Sequence, residues 1–379
     1  MISRALHSLV LGALLLWTSV AAAEGKLRVH FLDIGQGDAA LIVSPTGKTV
    51  LVDAGPRGGD RVVRHALASE GHRGIDLAVF THAHADHIGG MIKVIESVPV
   101  KRVLDPGYDH TSATYQTLLA TMKKHKVPMT LAREGRRIDI GGGAALEVLA
   151  PEAELLTGTR SDANTNSIVL RLTHGEFSLL LTGDAEEPTE RMLLRRPERL
   201  ASTILKVAHH GSRHSTLPSF LAAVAPAAAI ISCGVENKYG HPHKKVLERL
   251  GALNVGVFRT DLHGTVSLES NGTEWKVRTT RGPPVKLPNH ETVVAKAKAQ
   301  SPVRIDLNTA TADDLDTLPG IGKVKAQAIV DDRAANGPFE AVRDLVRVKG
   351  IGQGILKKIH SLVTVGETQQ TQAQAAGAP

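Results

Sequence analysis

The chain has 379 residues, 42% of them hydrophobic, which is enough for one large layered domain and a small second one. Its only cysteine, Cys233, excludes an intramolecular disulfide and a zinc ribbon, and we expect a small buried residue at a strand end. The formal net charge of +7 suits a polyanionic partner, but a basic balance alone is weak evidence.

The first 23 residues have the layout of a cleavable secretory signal peptide. Arg4 and His7 precede the apolar run from Leu9 to Trp17, and a run of alanines ends at Ala23. This run is shorter than the roughly 20 residues that a membrane-spanning helix needs, although an uncleaved anchor is the alternative. We therefore expect a periplasmic or secreted protein with no membrane span in the mature chain.

A dense group of metal-ligating side chains follows a predicted buried strand that ends near residue 80. His82, His84, Asp86 and His87 place three imidazoles and a carboxylate within six residues. Such a mixture is what a borderline divalent metal prefers. If His82 and His84 extend from the strand end, they point to one ion. Asp86 and His87, which would enter the next helix, then point to a second ion. A histidine-rich surface loop is the alternative.

Two later histidines and one aspartate are further candidates. Asp184 follows an apolar run and Gly183, which places its carboxylate at the carboxyl end of a buried strand; a turn aspartate is the alternative. His209 and His210 follow another predicted strand, so alternation should send their rings to opposite faces. We favour His210 for the site, as a metal ligand or as the proton donor to a leaving group, with His209 packing or in an outer shell.

Taken in order, these motifs resemble the hydrolase domain of the ComEC/Rec2 competence type, within the metallo-β-lactamase-fold hydrolases. The resemblance covers residues from about 26 to 281. The motifs that carry it are His30 to Ala39, Leu51 to Gly55, Thr81 to His87, Leu181 to Asp184, Ala208 to Ser212 and Tyr239 to Pro242. It implies an α+β fold, the four-layer αβ/βα sandwich, and one or two divalent ions, zinc or manganese.

The resemblance also implies a role for each matching residue. Asp184 would bridge the two metals, and His241 would be a late metal ligand, with a satisfied loop histidine as the alternative. Asp86 and His210 are the predicted catalytic residues, and Asp53, His209 and Ser212 are predicted in an outer shell. The predicted metal ligands are His82, His84, Asp86, His87, Asp184 and His241.

One departure concerns the first metal site. Many enzymes of this fold supply a further histidine between the first motif and the bridging aspartate. The matching stretch here, Ser161 to Ser167, contains none, as in the ComEC-like branch. We therefore expect a first site that is weaker, filled by a carbonyl or carboxylate, or differently occupied.

Two Gly-Ile-Gly turns near the C-terminus, Gly320 to Gly322 and Gly350 to Gly352, recur thirty positions apart, and the turn amides with the following helix N-terminus can bind a phosphate without reading sequence. This repeat resembles the tandem helix-hairpin-helix units of ComEA-type DNA receptors, over about residues 303 to 365. A protein-interaction module is the alternative. The predicted DNA-binding residues are Gly320, Ile321, Gly322, Lys323, Lys325, Lys349, Gly350, Ile351, Gly352 and Lys357.

These observations predict a signal peptide over 1–23, a hydrolase domain over 24–281, an exposed linker over 282–302, the hairpin domain over 303–365 and a disordered tail over 366–379. The expected function is an exported metal-dependent phosphodiesterase that cleaves DNA with little sequence preference. The alternatives are a hydrolase of a small lactam, lactone or phosphoester, and a DNA receptor without catalysis.

Overall fold

The computed structural model describes residues 25–300, 305–316, 318–360 and 362–365. The predicted signal peptide and tail lie outside these residues. Within the described part of the chain, no helix is both long enough and apolar enough to cross a membrane.

Two large sheets and the helices on their outer faces form the N-terminal domain. The strands in chain order are β1 (Leu27–Phe31), β2 (Ala40–Val43), β3 (Thr49–Val52), β4 (Leu77–Val79), β5 (Val103–Asp105), β6 (Met129–Leu131), β7 (Arg137–Gly141), β8 (Ala144–Ala150), β9 (Val169–His174), β10 (Phe177–Leu181), β11 (Ile204–Lys206), β12 (Ala228–Ile231), β13 (Gly256–Arg259), β14 (Val266–Ser270) and β15 (Trp275–Thr279). The helices are α1 (Asp60–Ser69), α2 (Ala85–Ile88), α3 (Met91–Ser97), α4 (Ala113–His125), α5 (Asp162–Thr165), α6 (Glu187–Leu193), α7 (Pro218–Val224), α8 (Lys244–Ala252), α9 (Thr260–His263) and α10 (His290–Gln300).

The strand order places the parallel strands of each sheet together. One sheet runs β15-β14-β1-β2-β3-β4-β5-β6, and the other runs β13-β12-β11-β10-β9-β8-β7. Strands β3 to β6 pair in parallel, as do β10 to β13. Because parallel strands end at the same edge, the loops after β3, β4, β10 and β11 can converge on one site.

Three apolar clusters account for the layering. Inward residues of both sheets, such as Val79 and Leu181, share one core between the sheets. The first sheet packs its other face on α1, α3 and α4, and the second packs on α6, α7, α8 and α10. Helix, sheet, sheet and helix therefore form four layers, which confirms the predicted α+β sandwich.

Helix α10 shows that the linker prediction over 282–302 is wrong for its helical part. Val293 is 0% exposed and Ala297 2% exposed, and both belong to the core under the second sheet. The His290 ring also lies 2.9 Å from the carbonyl oxygen of Ala225, through its Nε2. The segment whose alanine and lysine content predicted an exposed tether is instead a helix that packs a narrow apolar stripe against α7.

The C-terminal unit is small and mostly helical. It consists of β16 (Ile305–Asp306), α11 (Ala312–Asp316), α12 (Lys323–Asn336), a 3₁₀ segment (Val342–Arg347), α13 (Gln353–Ile359) and β17 (Val363–Thr364). Strands β16 and β17 pair in parallel and tie the two ends of the unit together. Its own apolar core is separate from those of the sandwich.

Candidate functional site

The Asp184 carboxylate lies at the centre of a group of histidines, directly after β10. Its Oδ1 is 3.1 Å from Nε2 of His87 and 3.7 Å from Nε2 of His210. Its Oδ2 is 3.8 Å from Nε2 of His82 and 3.6 Å from Nε2 of His209. Each oxygen of this buried carboxylate therefore faces its own pair of imidazoles.

One candidate metal group consists of His82, His84 and Asp184, whose ligand atoms all lie within 4.8 Å of one another. Nε2 of His82 and Nδ1 of His84 are 3.0 Å apart. His84 is the N-cap of α2, so the strand-to-helix turn brings the two rings together. This proximity agrees with the sequence, which predicted both residues for the same ion.

The second candidate group consists of Asp38, His87, Asp184 and His210, within the same limit and fully buried. Asp38 was missed by the sequence analysis, although it belongs to one of the motifs. Gly37 explains its position, because a Cβ there would lie 2.1 Å from the carbonyl oxygen of Asp86. Only glycine permits so close an approach of the two loops.

A buried lysine, also missed, accompanies Asp38. Nζ of Lys206 lies 2.8 Å from Oδ2 of Asp38, with both side chains under 10% exposed. Burial by itself would raise the pKa of Asp38, but Lys206 and His210 hold that pKa below its usual range. A buried charge needs such a partner, and Lys206 is that partner for Asp38.

The Asp53 carboxylate orients His87 from behind. Its Oδ2 accepts a hydrogen bond from Nδ1 of His87 at 2.7 Å, and its two oxygens accept the backbone N–H and the hydroxyl of Thr81 at 2.8 and 2.6 Å. With its proton on Nδ1, His87 presents its Nε2 lone pair to Asp184. Metal-binding histidines commonly have such an outer carboxylate.

Unsatisfied buried atoms indicate that the site fits a cation. Nε2 of His87, Nε2 of His210 and Oδ1 of Asp184 are buried without a hydrogen-bond partner. Such atoms are rare in native proteins and need an explanation. Burial alone would lower the pKa of His210, but the carboxylates of Asp184, Asp38 and Asp86 raise it to about 10. The same crowd of carboxylates attracts a divalent ion.

His209 and His210 do not alternate as strand residues, so the prediction that their rings point to opposite faces is wrong. Strand β11 ends at Lys206, and the two histidines lie in a tight turn with left-handed φ of 50° and 53°. Both rings consequently turn toward Asp184. His210 donates from Nδ1 to the carbonyl oxygen of Ser232 at 2.9 Å and approaches Oδ2 of Asp86 at 3.3 Å with Nε2.

His241, like His209, lies outside the two groups of mutually close ligand atoms, so its role as a late metal ligand stays a prediction. Its ring lies 5.6 Å from that of His209 and 6.2 Å from that of His210, and is half-buried. Asn237 holds its backbone by accepting from His241 N and donating to His241 O. The loop thus keeps this ring beside the cleft instead of at its floor.

The candidate site opens into a cleft of about 760 Å³. Ser212 and Asp86 line it, but Asp86 belongs to neither candidate metal group and contacts His210 instead. Ser212 is buried, and its Oγ accepts the backbone N–H of His214 at 3.4 Å. Most of the remaining lining residues are histidines and arginines, including Arg160, Arg213, His241 and His243, and Tyr239 also contributes.

Each of the two Gly-Ile-Gly turns of the C-terminal unit lies against the helix that follows the other turn. A Cβ on Gly320 would lie 3.6 Å from Ile355, and one on Gly350 would lie 3.7 Å from Lys325, the equivalent of Ile355 one repeat earlier. Gly320 and Gly350 have φ of 81° and 89°. Gly322 and Gly352 are the N-caps of α12 and α13, so the first amides of both helices are free of intrahelical acceptors.

Part of the DNA-binding prediction needs correction. The side chains of Ile321 and Ile351 are 2% and 3% exposed in the core of the unit, and their amides already donate to Leu318 O and Val348 O. Lys325 donates from Nζ to the carbonyl oxygen of Gly320 at 2.9 Å. The other three lysines of the prediction, Lys323, Lys349 and Lys357, are exposed.

The family model of the metallo-beta-lactamase superfamily matches residues 32–235, more than half of the chain. The chain belongs to this superfamily. A second model, the helix-hairpin-helix motif, matches residues 300–364. Both predicted modules are thereby confirmed.

Two relatives are similar to this member of the superfamily over about two thirds of its length. It is 32% identical to ComE operon protein 3 of Bacillus subtilis over 65% of this chain and 33% of that protein. It is 33% identical to Recombination protein 2 of Haemophilus influenzae over 63% of this chain and 28% of that protein. The chain therefore spans about a third of the length of these relatives, and the predicted ComEC/Rec2 resemblance is confirmed.

A shorter similarity relates the chain to a deoxyribonuclease of Thioalkalivibrio sp. The two are 46% identical over 70 residues, which is 18% of each chain.

Proposed function

We propose that the chain is an exported, divalent-metal-dependent phosphodiesterase that cleaves DNA. The observation that carries the proposal is the Asp184 carboxylate, whose two oxygens face two groups of imidazoles at the floor of a basic cleft. Such a floor suits a pair of cations, and Arg160 and Arg213 on the lining suit a phosphodiester.

The residues fit divalent cations of the zinc or manganese class, because imidazole and carboxylate donors predominate. His82, His84 and Asp184 would hold one ion, and Asp38 or Asp86 with His87, Asp184 and His210 would hold the other. When bound, such ions activate water and stabilise negative charge on phosphate oxygens.

The protein residues divide the remaining work. His210 is buried and faces the carboxylates, which favours a role as a ligand over that of proton donor. His241 lies at the cleft instead. Burial and the neighbouring His210 lower its pKa to about 4, so at neutral pH it is a neutral imidazole that can hydrogen-bond the phosphate or the leaving oxygen.

The helix-hairpin-helix unit would hold the substrate. Amides at the starts of α12 and α13 with Lys323, Lys349 and Lys357 suit phosphate contacts that carry no sequence information. Linking this unit to the hydrolase raises the local DNA concentration at the cleft. The name of the Thioalkalivibrio relative, a deoxyribonuclease, supports DNA as the substrate.

The test is to incubate the purified chain with single-stranded DNA, double-stranded DNA, bis-p-nitrophenyl phosphate and nitrocefin under a panel of divalent metals. We expect cleavage of DNA and of the phosphodiester, and none of nitrocefin. Asp184→Ala should abolish turnover and lower metal content while the circular dichroism spectrum is retained. Asp139→Ala, on the exposed side of β7, is the matched control.

Hydrolysis of nitrocefin without DNA cleavage would overturn the proposal. So would full turnover by metal-replete Asp184→Ala.

A further inference from the structure

The first metal group lacks one histidine that the superfamily's enzymes often supply. Asn164 occupies the stretch where that histidine would be expected, and its Nδ2 donates to Oε1 of Glu186 at 3.0 Å. Within the described residues, the group of mutually close ligand atoms on this side contains only His82, His84 and Asp184. A tetrahedral ion held by three protein ligands and water would be possible, but the structure offers a fourth protein donor.

His209 is that donor, because it faces the same carboxylate oxygen as His82. Its Nε2 is 3.6 Å from Oδ2 of Asp184, while Nε2 of His82 is 3.8 Å from that atom. The other oxygen, Oδ1, faces His87 and His210. The two adjacent histidines are therefore divided between the two sides of Asp184, one on each.

The other nitrogen of His209 faces a buried carboxylate. Its Nδ1 is 3.2 Å from Oε1 of Glu186, whose side chain is 3% exposed and is also paired with Arg160. Asp53 has the same relation to His87 at 2.7 Å. Nδ2 of Asn164 also lies 3.4 Å from Nδ1 of His209, but it donates to Oε1 of Glu186 at the shorter distance of 3.0 Å. A proton held on Nδ1 by Glu186 leaves the Nε2 lone pair directed at Oδ2 of Asp184, and a divalent cation between these two acceptors would bind both.

The backbone fixes this placement. His209 has φ of 50°, and its N–H donates to the carbonyl oxygen of Gly183 at 3.0 Å, one residue before Asp184. Another nearby histidine, His110, has its ring 5.7 Å from that of His84, but its Nδ1 accepts the N–H of Ser112 at 3.2 Å. That bond commits His110 to its own loop.

We propose that His209 completes the first metal site in place of the missing histidine, with Glu186 as the positioning residue that sets its tautomer. This inference rests on the metal centre of the proposed function. It predicts that removal of His209 affects the ion held by His82 and not the ion held by His87.

The experiment measures zinc and manganese affinity and stoichiometry by chelator competition on the full chain, without reference to turnover. His82→Ala serves as the benchmark for losing the first ion, and His87→Ala for losing the second. His209→Ala should match the first benchmark. Glu186→Gln should weaken the first ion by about 10- to 100-fold, the usual effect of removing an outer carboxylate. His214→Ala, in the same cleft with its Nε2 beside Arg213, should change neither ion.

A His209→Ala protein that binds both ions with wild-type affinity, while His82→Ala loses one, would overturn this inference and leave the proposed function standing. If His82→Ala and His87→Ala both bind as wild type, the metal centre of the proposed function fails as well. His209→Gln keeps a polar side chain of similar reach, and together with the melting temperature of each metal-free variant it separates ligand loss from misfolding. The assignment of His209 as an imidazole ligand would also be contradicted if His209→Ala were destabilised while His209→Gln bound both ions with wild-type affinity.

Discussion

Asp53 is expected to decide which nitrogen of His87 carries the proton, so Asp53→Asn should weaken metal binding without unfolding the chain. In the native site, Oδ1 of Asp53 accepts Thr81 N, and Oδ2 accepts the Thr81 hydroxyl and Nδ1 of His87. An asparagine that keeps its oxygen on Thr81 N places its NH₂ group against Nδ1 of His87. Because that group donates, Nδ1 must accept, and the proton moves to Nε2.

The size of the effect follows from this exchange. Nε2 of His87 lies 3.1 Å from Oδ1 of Asp184. A proton on this Nε2 would point into the space that the second ion would occupy. Removing the outer partner of a metal-binding histidine typically costs about 10- to 100-fold in affinity, or about 1.4 to 2.7 kcal/mol. Asp53→Ala is a poorer probe, because it also leaves the N–H and the hydroxyl of Thr81 without an acceptor. Each such buried donor lowers the free energy of unfolding by about 1 to 3 kcal/mol.

Chelator competition at neutral pH measures the affinity, and the melting temperature of the metal-free protein monitors the fold. The matched control is Asp105→Asn, a buried aspartate at the end of β5 that accepts hydrogen bonds from Gly107 N and Tyr115 instead of from a site histidine. The control should bind both ions as wild type does. A folded Asp53→Asn protein whose affinity for both ions lies within a factor of about two of wild type would refute the tautomer argument.

Three further outcomes are expected. Native Cys233 should resist alkylation at pH 8 and react once the chain is unfolded in denaturant, because burial and Asp261 raise its thiol pKa to about 12; rapid labelling of native protein would contradict this. A chain ending at residue 300 should keep phosphodiester turnover and lose DNA affinity. A chain ending at residue 283 should in addition have a lower melting temperature, because it loses the burial of Val293, which is worth about 1.5 to 3 kcal/mol. Equal melting temperatures for the two chains would count against α10 as part of the domain. Replacing Lys323 and Lys349 by alanine should make the binding of duplex DNA less sensitive to salt. The slope of the logarithm of the binding constant against the logarithm of the salt concentration should fall in magnitude by about 0.9 for each phosphate that the variant no longer neutralises, with metal content unchanged. An unaltered slope would exclude these lysines from the interface.

Local sequence was sufficient for the first metal-ligand motif and for the hairpin turns. The spacing of His82, His84, Asp86 and His87 spans one strand-to-helix turn, so neighbouring residues alone bring these side chains together. The Gly-Ile-Gly repeats are equally local, because a positive φ and a following helix start are properties of a few consecutive residues. Family-specific motif order then indicated the four-layer sandwich.

Tertiary structure decided the rest, because those contacts join distant strand ends. Lys206 lies 168 residues from Asp38 in sequence, and no local pattern pairs them. The left-handed turn at His209 overrode the strand alternation that the apolar run before it predicted. The apolar stripe of α10 is so narrow that the sequence of this segment does not distinguish a packed helix from an exposed tether. Only its contact with α7 in the folded chain shows that the helix is packed. Sequence indicated the kinds of donors at this site, but only the meeting of the two sheets determined which oxygen of Asp184 each histidine faces.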